Sequence, residues 1–491
     1  MAQTNPGITA SGWPPPSKPG APVPVFVLAL ATFLVGCAVP GDGNQHLSFE
    51  APIAWSRQPV SLTDQVTDLG YWWRRFSDPV LTDLVETALD ANTDILAARA
   101  ALEQASALRD ATAAALSPTL NYSTNAKRSF VGDGTAANNL SAGLEAGWDA
   151  DLFGVRGHAL DSSDANLLAV QAQFGGVQGA VATAVALNYI TLRSSQQRLA
   201  IAQENLANQL ETLQITRWRN QAGLIGSIEL EQATVAAGQT RAQLLPLEVG
   251  IEKAVHALAV QLGQPPAALL GLLSPVAAVP QAPQILGPSS PGETLRQRPD
   301  VRAARYQVHK AIADVQQAQA QRWPVLKLGA NIGVGAATLE ALSGGGAAIG
   351  ALVVGLAGPL FDGGAANAHV HAQQAALTRA QAIYHATMLT ALREVEDAMV
   401  ALRSDQEHLM QLQRVAVAAG NAATMARQRY ASGLVDFQIV LETQRSLLAT
   451  QDNQALANAN VSTDQVSLYN ALGGGWRPAA TPMTAATPQS P

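Results

Sequence analysis

Residues 143–153 read Gly-Leu-Glu-Ala-Gly-Trp-Asp-Ala-Asp-Leu-Phe and close a run in which every second side chain is apolar. The even positions are Leu140, Ala142, Leu144, Ala146, Trp148, Ala150 and Leu152; the odd ones are Ser141, Gly143, Glu145, Gly147, Asp149 and Asp151. Successive side chains of a strand point to opposite faces, so the pattern predicts a strand with one apolar and one small or polar face. At about thirteen residues it is longer than an ordinary globular strand and suits a tilted strand of a membrane barrel. A long, alanine-rich helical pattern begins directly after it.

The rest of the chain limits what such a strand can belong to. Its 491 residues are enough for several domains or one very elongated one. Charged residues are 14% and hydrophobic ones 48%, which fits neither a disordered chain nor a polytopic helical membrane protein, where runs of about twenty apolar residues recur. A net charge of −7 without any basic run gives no reason to expect nucleic acid. The single cysteine, Cys37, excludes an intrachain disulfide and a cysteine-based metal site. It ends an apolar run that is too short to span a bilayer and fits a signal-peptide core over 1–36. Leu34-Val-Gly-Cys37 resembles a bacterial lipobox, which predicts a lipid-modified N-terminus at Cys37; Ala38 behind it fits sorting to the outer membrane. The Pro-rich flank before it and the Gly/Asp/Asn flank after it are unlike the surroundings of a buried core cysteine.

Working outward yields a second copy of everything. Tyr71-Trp-Trp-Arg-Arg-Phe-Ser-Asp-Pro79 leads into a helix read to about Leu116, with Leu81, Leu84, Val85, Leu89, Ile95 and Leu102 as its apolar face. Pro118 stops it. Residues 119–130 read as a strand, Leu120 and Tyr122 on one face, Asn121, Ser123, Asn125 and Lys127 on the other, and 131–135 as a turn. After the opening strand, Val185, Leu192, Leu199, Leu206 and Leu213 recur every seven residues, a coiled-coil seam in a helix from 154 to about 217. A break at 217–226 precedes more helix over 227–263, and the proline-rich run 264–293 reads as a linker. Asp300 to Pro324 then repeats the spacing of Asp94 to Pro118. Residues 325–336 alternate again, Leu326, Leu328, Ala330, Ile332 and Val334 against Lys327, Gly329, Asn331, Gly333 and Gly335. Ser343-Gly-Gly-Gly346 turns the chain into 347–360. Phe153 answers to Phe361, and Val395, Leu402 and Leu409 sit 210 positions after Val185, Leu192 and Leu199.

The chain is therefore read as a tandem repeat, 71–263 and 294–476, behind a tether at 37–70 and before a disordered tail at 477–491. Residues 344–360 are apolar enough to suggest a transmembrane helix. Their glycines, Pro359 and their place in the repeat make them the fourth strand instead. Four such strands cannot close a barrel, and open edges are not tolerated in a bilayer. Three copies would supply about twelve strands. The predicted class is mixed α and transmembrane β: a protomer of long coiled-coil helices plus four β-strands, trimerising into a β-barrel continued by an α-helical barrel.

Eight short motifs carry a resemblance. Phe76-Ser-Asp-Pro-Val-Leu81, Trp148-Asp-Ala-Asp-Leu-Phe-Gly154, Arg298-Pro-Asp-Val301 and Gly358-Pro-Leu-Phe-Asp-Gly-Gly364 look like TolC-type outer-membrane efflux proteins. So do Glu394-Val-Glu-Asp-Ala398, Arg429-Tyr-Ala-Ser-Gly433, Gln444-Arg-Ser-Leu447 and Leu468-Tyr-Asn-Ala-Leu-Gly-Gly-Gly-Trp476. With the lipobox, the chain resembles their lipoprotein branch, the NodT-like outer-membrane factors. The resemblance implies a homotrimer anchored in outer-membrane lipid, a trans-periplasmic helical barrel, and docking to a periplasmic adaptor and an inner-membrane pump. It also implies that the turn near Gly433 forms a periplasmic tip narrowed by a polar ring. By motif position the ring carboxylate falls on Glu442 and its basic partner on Arg445, with Asp436 a second candidate. The family's usual Asp-Ala-Gln-Arg is Glu442-Thr-Gln-Arg445 here. The plainer reading of Glu442 and Arg445 is an exposed ion pair three residues apart on one helix.

No catalytic constellation and no cofactor motif emerges. His369 and His371 fall on different helix faces, Ser343-Gly-Gly-Gly346 lacks the lysine and strand–helix context of a phosphate loop, and Arg298-Pro-Asp300 reads as a helix start with a capping carboxylate. The function expected is a passive exit duct for small toxic compounds. Its rivals are a duct for type I protein or polysaccharide export, a lipid-anchored coiled-coil tether without a pore, and a lipoprotein enzyme.

Overall fold

A computed structural model of the chain describes residues 52–56, 69–130, 136–282, 290–344 and 347–477. Cys37, the turn at 131–135 and the tail after 477 lie outside the described residues.

Four antiparallel strands form one sheet in sequence order: β1 Thr119–Phe130, β2 Ala136–Ala150, β3 Val325–Ala336 and β4 Ala347–Ala357. Register puts the alternating residues on common faces. Leu120, Ala146, Ala330 and Leu352 make one row, and Tyr122, Leu144, Ile332 and Gly350 the next. The opposite face carries Asn121, Glu145, Asn331 and Ala351, then Ser123, Gly143, Gly333 and Ile349. The weakly alternating β4 is thus assigned its faces by its neighbour. No helix among the described residues is long and apolar enough to cross a membrane.

Gly143 and Gly333 are register partners, and neither has room for a side chain. A Cβ on Gly143 would lie 2.9 Å from the Ile332 carbonyl oxygen, and one on Gly333 2.8 Å from that of Ala142. Glycine at both positions lets the β2 and β3 backbones approach closely at this register. A cavity opens on that face, lined by Thr119, Ser141, Glu145, Lys327 and Asn331 among others.

The helices repeat as the strands do. Here α1 is Pro79–Ala91, α2 Thr93–Ala114, α3 Val155–Gln221 and α4 Ser227–Gln261; α5 Leu270–Leu273 and α6 Pro291–Gln297 are short; α7 is Pro299–Ala320, α8 Leu339–Ser343, α9 Ala365–Ala431 and α10 Phe437–Ala471. Both α3 and α9 have 67 residues, and both α4 and α10 have 35. At 1.5 Å per residue α3 and α9 are each about 100 Å long.

Three expectations change. The single helix to Leu116 is two helices, because Asn92 ends α1 and caps α2, its Oδ1 accepting from the Asp94 and Ile95 amides at 2.8 and 3.3 Å. Asp78 starts α1 the same way through Oδ1, while its Oδ2 accepts from the Tyr189 hydroxyl at 2.9 Å. The part of the proline-rich run described here, 264–282, packs into the core: Leu269, Leu273, Val279 and Ala282 are buried with Trp72, Trp73, Leu84 and Val185. Gln465 of α10 bonds both the amide and the carbonyl of Ala282, and Ser462 donates to the Pro280 carbonyl at 2.7 Å. An extended proline segment leaves its carbonyls unpaired, and polar side chains of α10 take them up. The tether is also pinned where it is described. Trp55 is buried against Val395, Leu402, Val461 and Leu468, and the Ser56 amide and hydroxyl donate to Glu396 at 2.7 and 2.6 Å.

The glycine contact has a direct test. Gly143→Val should sharply lower the amount of protein assembled in the outer membrane, whereas Gly355→Ala, whose added methyl would meet nothing within 4 Å, should assemble normally. Quantifying both in outer-membrane fractions decides it.

Candidate functional site: the strand–helix collar and the helix-turn tip

Each long helix leaves the sheet through a left-handed glycine, Gly154 at φ +81° and Gly364 at φ +91°. Carboxylates take up the first free amides: Asp151 accepts from Gly157 at 2.7 Å, and Asp362 from Gly364 and Ala366 at 2.9 and 2.8 Å. The Ala366 and Gly364 amides hold the Asp362 carboxyl below the usual carboxylate range. Aromatic rings gather at this level. Trp148 donates its indole N–H to the Leu116 carbonyl at 3.0 Å, and Phe153 stacks on Trp323 with centroids 5.4 Å apart. Such rings, half-exposed beside an apolar sheet face, are what a membrane–water boundary selects.

Below the collar, α3 meets α10 across the boundary between repeats. Arg198 pairs with Asp452 at 2.7 and 3.0 Å, the Asn205 amide donates to Gln451 at 2.8 Å, and Gln444 donates to the Thr212 hydroxyl at 3.0 Å. Arg427 of α9 adds a bond to Asn208 at 3.0 Å. Arg298 at the start of α7 is a buried charge: its side chain is 8% exposed, reaching Asp300 at 2.7 Å, Glu394 at 2.6 Å and the Ala471 carbonyl at 2.8 Å. Burial pushes its pKa down, but the two carboxylates outweigh that and hold it above the ordinary value. Asp300 therefore serves Arg298 and the Val301 amide rather than capping the helix, whose cap position is Arg298 itself. Asn92 does the equivalent work in the first repeat, donating to the Gln261 carbonyl at 2.8 Å.

The far ends of the long helices turn through Gly223 at φ +71° and Gly433 at φ +72°. In both turns an amide reaches back to close the helix, Leu224 to Arg219 at 2.9 Å and Leu434 to Arg429 at 2.8 Å. Leu206, Leu213, Ala236, Tyr430, Phe437 and Val440 pack beneath them. Arg219 donates to the carbonyls of Tyr430 and Ala431 at 3.2 and 3.1 Å, with its guanidinium 4.5 Å from the Tyr430 ring centre. It thereby satisfies the last carbonyls of α9, where the helix dipole favours a cation.

Asp436 occupies the cap position of α10 without a side-chain cap bond, and Glu442 and Arg445 follow on the same helix; all three are exposed. Glu442 and Arg445 form no ion pair with each other, and Arg445 borders a groove with Ser227, Ile228 and Glu231 of α4. His369 and His371 are exposed on α9, and no group of metal-ligating side chains occurs among the described residues. Sequence reasoning missed Arg219 and the α3–α10 polar seam. The one available signal was the pairing of Arg219 with Arg429 at the repeat offset.

Long amphipathic strands open at both edges, running into 100 Å helices that end in paired turns, define a subunit of an outer-membrane duct. The chain belongs to the outer membrane efflux protein (OEP) family, which it matches over residues 84–264 and 290–474. It is 31% identical to the pyoverdine export outer membrane protein OpmQ of Pseudomonas putida, over 92% of this chain and 97% of OpmQ. It is 27% identical to the probable outer membrane lipoprotein SilC of Salmonella typhimurium, over 92% of this chain and 98% of SilC. Among solved structures, the outer-membrane channel OprN superposes with a TM-score of 0.80 at 31% identity, over 88% of this chain and 99% of that one. The protein is an outer-membrane efflux duct of the TolC/NodT type.

Two measurements probe the charges that hold the helices. Arg298→Met should lower the urea midpoint of the helical circular-dichroism signal by the equivalent of about 1–3 kcal/mol, because Glu394, Asp300 and a carbonyl lose a charged donor while staying partly solvated. Asp464 faces Asp405 between α10 and α9; burial first, then the Asp405 charge, raise its pKa from 3.8 to about 6. Ionising it costs the folded state more than the unfolded one, so the stability it lends is full below about pH 4 and is lost as pH rises through about 6. Asp464→Asn should flatten the dependence of that midpoint on pH between these values.

Proposed function

We propose that three copies of this chain close the sheet into one barrel and the helices into one tube, forming the exit duct of a tripartite efflux assembly. The observation that carries this reading is the four-stranded sheet itself. Among the described residues β1 pairs only with β2 and β4 only with β3, while the apolar face between them is exposed. Hydrocarbon tolerates no unpaired strand edge, so β4 of one copy must meet β1 of another. The duct performs no catalysis and needs no cofactor; transport energy comes from an inner-membrane pump, joined through a periplasmic adaptor at the helix-turn tip.

The N-terminus is anchored by lipid on Cys37, a reading supported by the lipobox and by the lipoprotein name of SilC. The cargo is small toxic compounds. The name of OpmQ, an exporter of pyoverdine, favours small solutes over proteins or polysaccharides. Asp436, Glu442 and Arg445 form the polar ring of the tip, with Arg445 offsetting carboxylates that approach one another around the threefold axis.

Detergent-extracted protein should be trimeric by native mass spectrometry, and a stable monomer would remove the barrel and the duct together. Cys37→Ser should abolish palmitate labelling and leave the trimer intact. In planar bilayers, Arg445→Ala should raise single-channel conductance by unmasking like charges, Glu442→Ala should do so by removing the partner, and the double variant should change less than the sum. Parent-like conductance in all three would place the constriction elsewhere.

A further inference from the structure

Among the described strand residues, the apolar face of the sheet carries a single charge, Arg128, and it stands at the end far from the helices. Thr119 pairs with Gly147, so Trp148 lies level with Pro118, ten positions before Arg128. At about 3.3 Å per residue and a strand tilt of about 40°, that stretch rises about 25 Å, the height of the apolar band of an outer-membrane barrel. Trp148 thus marks one boundary of the band, and Arg128 with Phe130 marks the other. The Arg128 guanidinium lies 5.5 Å from the centre of the exposed Phe130 ring. A ring face orients a guanidinium without using any of its five N–H donors. Asn138, the register partner of Arg128, is exposed beside it on the same face. Neither side chain has a hydrogen-bond or ionic partner among the described residues, whereas Arg109, Arg156 and Arg198 each reach a carboxylate.

Resting on the barrel reading above, we propose that Arg128 and Asn138 bind the phosphate group of an outer-leaflet lipid, one on each protomer. A cation on the lipid side of a barrel is costly at mid-bilayer and nearly free at the interface, which is the level Arg128 occupies. Its planar fork matches two oxygens of one phosphate, and the Asn138 amide adds a neutral donor alongside. Below it, Thr124, Ala126 and Ala142 leave a shallow lane of small side chains between Tyr122 and Phe130. An acyl chain hanging from the bound headgroup fits that lane, which gives a lipid an apolar contact that a free phosphate ion lacks. Lys127 is the internal comparison. It carries the same charge one residue away, but on the polar face, where it meets the lumen and not lipid.

Native mass spectrometry of the full-length protein, extracted in detergent, stripped of lipid and mixed with purified lipid A, tests the site by counting bound lipids. Binding of up to three per trimer is expected, weakened about tenfold by Arg128→Ala through the lost charged hydrogen bonds. Arg128→Lys should weaken it less, since the charge stays and only the fork is lost. Lys127→Ala should bind as the parent does. Lipid A stripped of its phosphates should bind parent and Arg128→Ala alike. Equal binding of intact lipid A by parent and Arg128→Ala, or a loss in Lys127→Ala as large as that in Arg128→Ala, would overturn the site. Lipid A should also remain bound in excess inorganic phosphate; complete displacement would make this a free-anion site and overturn the lipid. Protein that is not trimeric before any lipid is added would overturn the barrel reading instead.

Discussion

A strand inside hydrocarbon must pair every backbone N–H and C=O, and this protomer brings four strands with two unpaired edges. The other features of the molecule answer to that requirement. The apolar rows through Leu120, Tyr122, Leu144 and Ile332 make a face for lipid, and the small residues opposite leave a lumen. At the Gly143–Gly333 contact the two strand backbones come closer than any side chain would allow. In the proposed ring the copies that pair the edges also fix where the helices go, because Gly154 and Gly364 hand each strand directly to a long helix.

Duplication makes the helical part economical, and divergence makes it work. Both repeats use the same left-handed glycines and the same helix lengths, so the protomer contributes two similar wall segments. The contacts between those segments have not diverged evenly. Polar side chains stitch α3 to α10, and the proline-rich segment laces the first core to α10 through Ser462 and Gln465. Arg298 and Asn92 secure the same joint in the two repeats with different chemistry, a buried charge in one and a neutral amide in the other.

Much of this was legible in the residues alone because period and spacing are local properties. Alternation from Leu140 to Leu152, the heptad from Val185 to Leu213 and the 210-residue offset specify strand, long helix and duplication without any partner. The tandem architecture made 344–360 a strand despite its weak pattern, and β4 occupies Ala347–Ala357. Motif order likewise pointed to an outer-membrane efflux duct.

Tertiary structure decided what depends on residues distant in the chain. Asn92 looks like an ordinary polar position in a helical pattern until its side chain is seen capping α2 and holding Gln261. The proline-rich run reads as a linker because proline ends helices; that its carbonyls are claimed by α10, 182 positions away at Ser462, cannot be inferred from composition. The i,i+3 spacing of Glu442 and Arg445 suggested a pair, yet the side chains take separate surroundings, since spacing sets which helix face a residue shares and not which neighbour competes for it. Periodicity is written into consecutive residues, whereas partnership is settled only when two distant surfaces meet.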